Sequence, residues 1–189
     1  MPILGTYASQ FSGKSFGSFE SIASVTATGG ETTLSLTSIP QTYTHLQIRT
    51  INRFAQDATG WTFYGMGFNS NTTGYAYHAL FGNGSVVATE AGATQTSIYI
   101  YNSIINSQTP TDARAVGVID IHDYTSTTKN KTVRYIHGFD VNANGYVYLG
   151  SGFWNNTAAV TSIQIKDINT GSNGFLAGTT FALYGIKGA

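Results

Sequence analysis

The chain has 189 residues, no cysteine, 13% aromatic residues and only 10% charged residues, with nine basic side chains against nine acidic ones. That length suits one domain with a core of its own, and the absence of cysteine excludes disulfides and thiolate metal sites. A neutral chain with far less than the usual charge share of about 25% is poorly suited to gripping nucleic-acid phosphates, its aromatics argue against disorder, and its short apolar runs argue against a membrane span.

Residues 1–18 come first and differ from the rest. "GTYASQFSGKSFGS" is rich in Gly and Ser and shows no alternation, so it reads as an extended N-terminal arm. It nevertheless carries Ile3, Leu4, Tyr7, Phe11 and Phe16. Such side chains are expected to dock, either on the same domain or on a neighbour, the alternative being a free terminus. No basic stretch precedes an apolar core here, so a secretory signal is not expected and folding in the cytoplasm is.

From Phe19 to the end the dominant period is two, which predicts a single β domain over 19–189. "FESIASVTAT", Gly29-Gly30 and "ETTLSLTSI" read as a hairpin about a two-residue turn. "THLQIRTI" follows a Pro-marked break, with Leu46 and Ile48 on one face and His45, Gln47, Arg49 and Ile51 on the other. Arg53 is expected to continue that second face. "TFYGMGF" and "GYAYHALF" are two further strands, then "TSIYIYN". "ARAVGVIDIHDY" sets Ala115, Ile119 and Ile121 against Val116, Val118, Asp120 and His122. "KTVRYIHGFDV", "GYVYLGSGFW", "AVTSIQIKDI" and "TTFALYGIK" complete the series. About ten strands at even spacing, with no helical periodicity, predict an all-β, antiparallel β-sandwich of jelly-roll type.

Chemistry is harder to find. Asp120, His122 and His137 would be a three-ligand metal set only if two strands paired in a favourable register, and no metal or other cofactor is expected. The acids show no facing pair of the kind glycoside hydrolysis needs. No nucleophile elbow, phosphate loop or zinc-protease motif occurs, so no catalytic residue is named and an enzyme is not expected. Lys129, Lys131 and Arg134 form the only local basic cluster and read as a solvated strand end. The aromatics Trp61, Tyr64, Tyr75, Tyr77, Tyr146, Tyr148 and Trp154 suit either a protein interface or stacking on sugar rings, with Asn155 and Asn156 close by.

Three segments carry a likeness to something known. "FESIASVTATGGETTLSLTSIPQTYTHLQIRT", "GVIDIHDYTSTTKNKTVRYIHGFD" and the closing "TTFALYGIKGA" resemble small β-rich virion structural proteins of tailed bacteriophages, those of marine and cyanobacterial hosts in particular. The likeness spans nearly the whole chain and is weakest over 57–111. It implies a particle component made in the host bacterium. The expected form is a capsid decoration or cement protein, assembled as a homo-oligomer, a trimer, on the major capsid protein. The alternative is a tail-fibre or tail-tip module that meets tail proteins and a host surface glycan. No catalytic residue is carried over from it, and the balanced charge and short apolar runs leave no nucleic-acid partner and no membrane expected.

Overall fold

The structure is a computed structural model, and it describes residues 18–55, 62–103, 112–141, 144–168 and 173–188. The arm residues Ile3, Leu4, Tyr7, Phe11 and Phe16, together with Trp61, lie outside the described residues. The elements are β1 (Phe19–Thr26), β2 (Thr33–Leu36), β3 (His45–Asn52), β4 (Thr62–Phe68), β5 (Tyr75–Gly82), β6 (Val87–Gln95), β7 (Ile98–Ser103), β8 (Ala115–His122), β9 (Lys131–Asp140), β10 (Gly145–Trp154), β11 (Ile163–Asp167) and β12 (Thr180–Ile186). No helix occurs among them.

The strands form two antiparallel sheets, one of eight in the order β1-β12-β3-β8-β9-β10-β5-β6 and one of four in the order β2-β11-β4-β7. The chain is therefore an antiparallel β-sandwich, as its periodicity predicts. Its core lies between the sheets. Leu46, Ile48, Ile119, Ile121, Val133 and Leu183 of the large sheet face Leu34, Leu36, Met66, Ile98, Ile163 and Ile165 of the small one. These are the inward members of each period-two pattern, and burying them supplies the main driving force for folding.

Aromatic rings fill the thick part of the core because glycines make room for them. A Cβ on Gly150 would lie 2.1 Å from the Tyr135 ring, and one on Gly152 would lie 2.5 Å from Ile98. Small residues opposite large ones let the layers interdigitate at native density.

One connection differs from the expectation. β1 pairs only with β12, and β2 pairs only with β11. Gly29-Gly30 therefore closes no hairpin; it carries the chain from one sheet over to the other. Both glycines have positive φ, 118° and 89°, a conformation that suits either kind of turn. The Glu31 carboxylate decides the shape by accepting from the backbone N–H of Thr28 (2.9 Å), the N–H of Gly29 (2.8 Å) and the Thr28 hydroxyl.

Those donors pull the Glu31 pKa down to about 2. The bonded turn is thus favoured at neutral pH. Its contribution is complete above the ordinary carboxylate range, begins to weaken as pH falls through about 4.5, and is gone below about 2. An NMR titration should show the Gly29 amide moving with a midpoint near 2, and Glu31→Gln should abolish that transition. A midpoint at the ordinary Glu value would disprove this account of the turn.

Candidate functional site

Tyr64, Tyr75, Tyr77, Tyr148 and Trp154 are all core residues, at most 6% exposed. They occupy the inward phase of their strands, and no sugar ring or protein surface can reach them. Tyr75 stacks on Trp154 (5.9 Å, 11° between planes), and Tyr148 stacks on Phe81 (4.9 Å, 11°). Tyr146 is half-buried and also points inward, beside Phe139 and Phe81. The reading of these seven aromatics as an exposed platform is corrected for the five that are buried; their large apolar area goes into the sandwich core.

The metal arrangement is not formed either. β8 and β9 do pair, but Asp120 lies opposite Arg134 and His122 opposite Thr132, while His137 lies opposite Gly117. Asp120 and His122 face outward. His137 faces the core, where Asn52 Nδ2 and His137 Nε2 are 3.0 Å apart. Among the described residues, no group of three or more His, Cys, Asp or Glu is placed to hold a metal.

Two of the basic residues also move. β3 ends at Asn52, and Arg53 turns in under cover, its guanidinium donating to the Ala113 carbonyl at 2.9 Å. Lys131 is fully buried, and its ammonium donates to the carbonyls of Ser126 (2.7 Å), Lys129 (2.7 Å) and Thr157 (3.1 Å). It is a structural pin, and only Lys129 and Arg134 of that cluster are solvated. Lys129 pairs with Asp123 at 2.7 Å and Arg134 with Asp120 at 3.3 Å.

The feature that calls for an explanation is the outer face of the eight-stranded sheet. Strand register arranges its side chains in rows across the strands. One row runs Arg49, Val118, Ile136, Leu149, Leu80 and Thr89. The next runs Ile51, Val116, Gly138, Val147, Gly82 and Val87. The seven large apolar members on β3, β5, β8, β9 and β10 are between 37% and 64% exposed. Glycines interrupt the second row, leaving bare backbone between valine knobs. An open basin of about 1150 Å³ lies over Val116, Ile136, Gly138 and Val147, rimmed by Arg49, Asp140 and the Asn83–Gly84 turn. A second hollow of about 700 Å³ lies beside it, against Leu80, Leu149, Arg134 and His78.

A third row, Gln47, Asp120, Arg134, Ser151 and His78, is polar. Gln47 donates to Asp120 at 2.9 Å, and the Arg134 guanidinium holds the other carboxylate oxygen. At the β3 end of the first row the Arg49 guanidinium sits over the rings of Phe19 (5.2 Å) and Tyr184 (5.6 Å), which stack on each other at 4.7 Å. The face is thus an apolar field with a polar margin.

Sequence reasoning placed several of these residues on the outer face but did not read them as a site. The usable signal is "AVGVI" in β8: Val116 and Val118 are apolar on the face opposite Ala115 and Ile119. Apolar residues on both faces are the pattern of strands in sheets that are covered on both sides. The same holds for Ile136 in β9 and for Val147 and Leu149 in β10.

The acids offer no second site. Burial pushes the Glu90 carboxyl above its ordinary range, with one oxygen, Oε2, lacking a hydrogen-bond partner. It lies opposite Ala79 on the inward side of β6, away from the apolar field. Neither a protein-family model nor a curated protein matches this sequence, so its function is read from the outer face itself.

Proposed function

We propose that the chain is a non-enzymatic virion structural protein of a tailed bacteriophage, a capsid decoration or cement subunit. Its N-terminal arm ties it to the particle, and the outer face of its larger sheet meets other subunits. The observation that carries this reading is the contiguous apolar field on that face. Soluble monomers rarely expose connected apolar patches above a few hundred Å², and this one belongs to a chain with few surface charges to keep it solvated. The resemblance of three long segments to phage virion proteins gives the field its context.

The strand order supports the finer fold reading. Without β5, β6, β9 and β10 the sheets run β1-β12-β3-β8 and β2-β11-β4-β7. Successive strands then alternate between sheets at almost every step, which supports a jelly roll with two hairpins added to one edge.

Deleting residues 2–17 tests the function. The truncated protein should keep the melting behaviour of the sandwich and be lost from purified particles, while the full chain is present in hundreds of copies. Normal incorporation of the truncated protein would remove the arm from the mechanism. A handful of copies at the tail would replace decoration with the tail-fibre reading, and absence from particles would end both.

A further inference from the structure

We infer that the outer face of the eight-stranded sheet is a two-fold interface, covered by the same face of a second copy of this chain. The inference deepens the assembly reading above and takes from it only the premise that the face is covered.

The first ground is that the described residues show one exposed apolar patch and not two. Every exposed large apolar side chain among the described residues lies on this sheet or in the turn that leads into β6. On the outer side of the small sheet β2 and β11 present Thr33, Ser35, Gln164 and Lys166, and β4 and β7 add the Phe63–Tyr99 stack, whose two rings are half-buried. A ring of three subunits needs two different complementary patches on each subunit. A single self-complementary patch closes with a two-fold axis. The geometry therefore favours a pair over the expected trimer.

Area is the second ground. Val116, Val118, Ile136, Val147, Leu149 and their neighbours Ile51, Leu80 and Val87 offer on the order of 700 Å² of apolar surface, close to the ~800 Å² per partner of a standard stable interface. The central rows carry no charge between Arg49 and the β6 edge. Interfaces between identical subunits are the more apolar kind. Relief is the third ground. Gly138 and Gly82 leave gaps between Val116, Val147 and Val87, so a facing sheet has both knobs to offer and holes to fill. Two sheets packed in this way would lie about 10 Å apart, as in a sandwich core.

Sedimentation velocity and light scattering on the full chain, over roughly 1–100 μM, should show a species of twice 20.1 kDa. Ile136→Asp combined with Val147→Asp should weaken pairing at least 100-fold and leave a folded monomer, because both side chains point away from the core, and its melting temperature should lose the dependence on protein concentration that pairing gives the native chain. A second readout does not depend on those variants folding. The chain has no cysteine, so Ile136→Cys gives one thiol per subunit near the centre of the patch. A short bis-maleimide should join two such subunits, and should not join Thr33→Cys subunits.

A chain that stays monomeric throughout overturns the inference, as does pairing that survives the double aspartate variant. Pairing that is lost on deleting residues 2–17 but not on charging the face would assign the contact to the arm, and would also overturn it. Failure of pairing leaves incorporation into particles untouched, and failure of incorporation leaves pairing untouched, so the two readings fail separately.

Discussion

Trp154→Ala is expected to cost about 3–5 kcal/mol of folding stability, the range for removing a large aromatic from a packed core. Trp154 ends β10 at 1% exposure. Its indole lies parallel to Tyr75 at 5.9 Å and tilted against Phe68 at 5.5 Å, so it touches both sheets. Truncation would open a cavity between them that strands locked by register cannot close. Urea melts should show a lower midpoint with an unchanged slope, and the melting temperature should fall by roughly 6–20 °C for a domain of this size. Trp154→Phe should lose much less, because it keeps a ring in the stack and removes an indole N–H that has no acceptor. A loss below about 1 kcal/mol for the alanine variant would contradict this placement. A carbohydrate-binding assay on Trp154→Ala would report unfolding, since the ring is not on the surface.

Lys131→Met is expected to cost about 2–4 kcal/mol, although it replaces a buried charge with an apolar side chain of similar length. The ammonium is the shared donor for three carbonyls from two loops, those of Ser126, Lys129 and Thr157. Removing it strands all three acceptors at once. The charged form already bears a desolvation penalty, which pushes the Lys131 pKa down, and the three bonds outweigh it. Lys131→Arg should not restore the wild-type value, because a planar fork cannot converge on three carbonyls around a point. Hydrogen exchange would localise the effect. Amides of the 123–130 turn and of Val160, whose N–H bonds the Tyr124 carbonyl at 2.8 Å, should exchange faster in the variant. Unchanged protection there would show that water replaces the ammonium without loss.

Both cases show what period-two reading delivers and where it stops. Leu46 and Ile48, or Ala115, Ile119 and Ile121, were placed on the correct face because their strands carry a clear contrast between faces. The contrast fails where both faces are apolar or aromatic. Val147, Tyr148 and Leu149 gave no reason to prefer one phase, so Tyr148 could not be sent inward or Val147 outward from the sequence. β6, "VATEAGATQ", was missed altogether. It is short of β-branched and aromatic residues, and it is held as an edge strand by β5 on one side only. Arg53 and Lys131 carry charges that sequence logic sends to solvent. Carbonyls brought in from Ala113, and from Ser126, Lys129 and Thr157, make their burial tolerable.

By itself the sequence determined that this protein is an antiparallel β-sandwich, because alternation, β-branched content and turn residues are local properties that each strand carries with it. Only the tertiary structure decided that Gly29-Gly30 crosses between sheets, that Tyr64, Tyr75, Tyr77 and Tyr148 lie in the core, and that one outer face is left apolar. Those outcomes depend on which strands become neighbours. Hydrogen-bond ladders between residues as far apart as Ser24 and Ala182 set that pairing, and no local pattern encodes it.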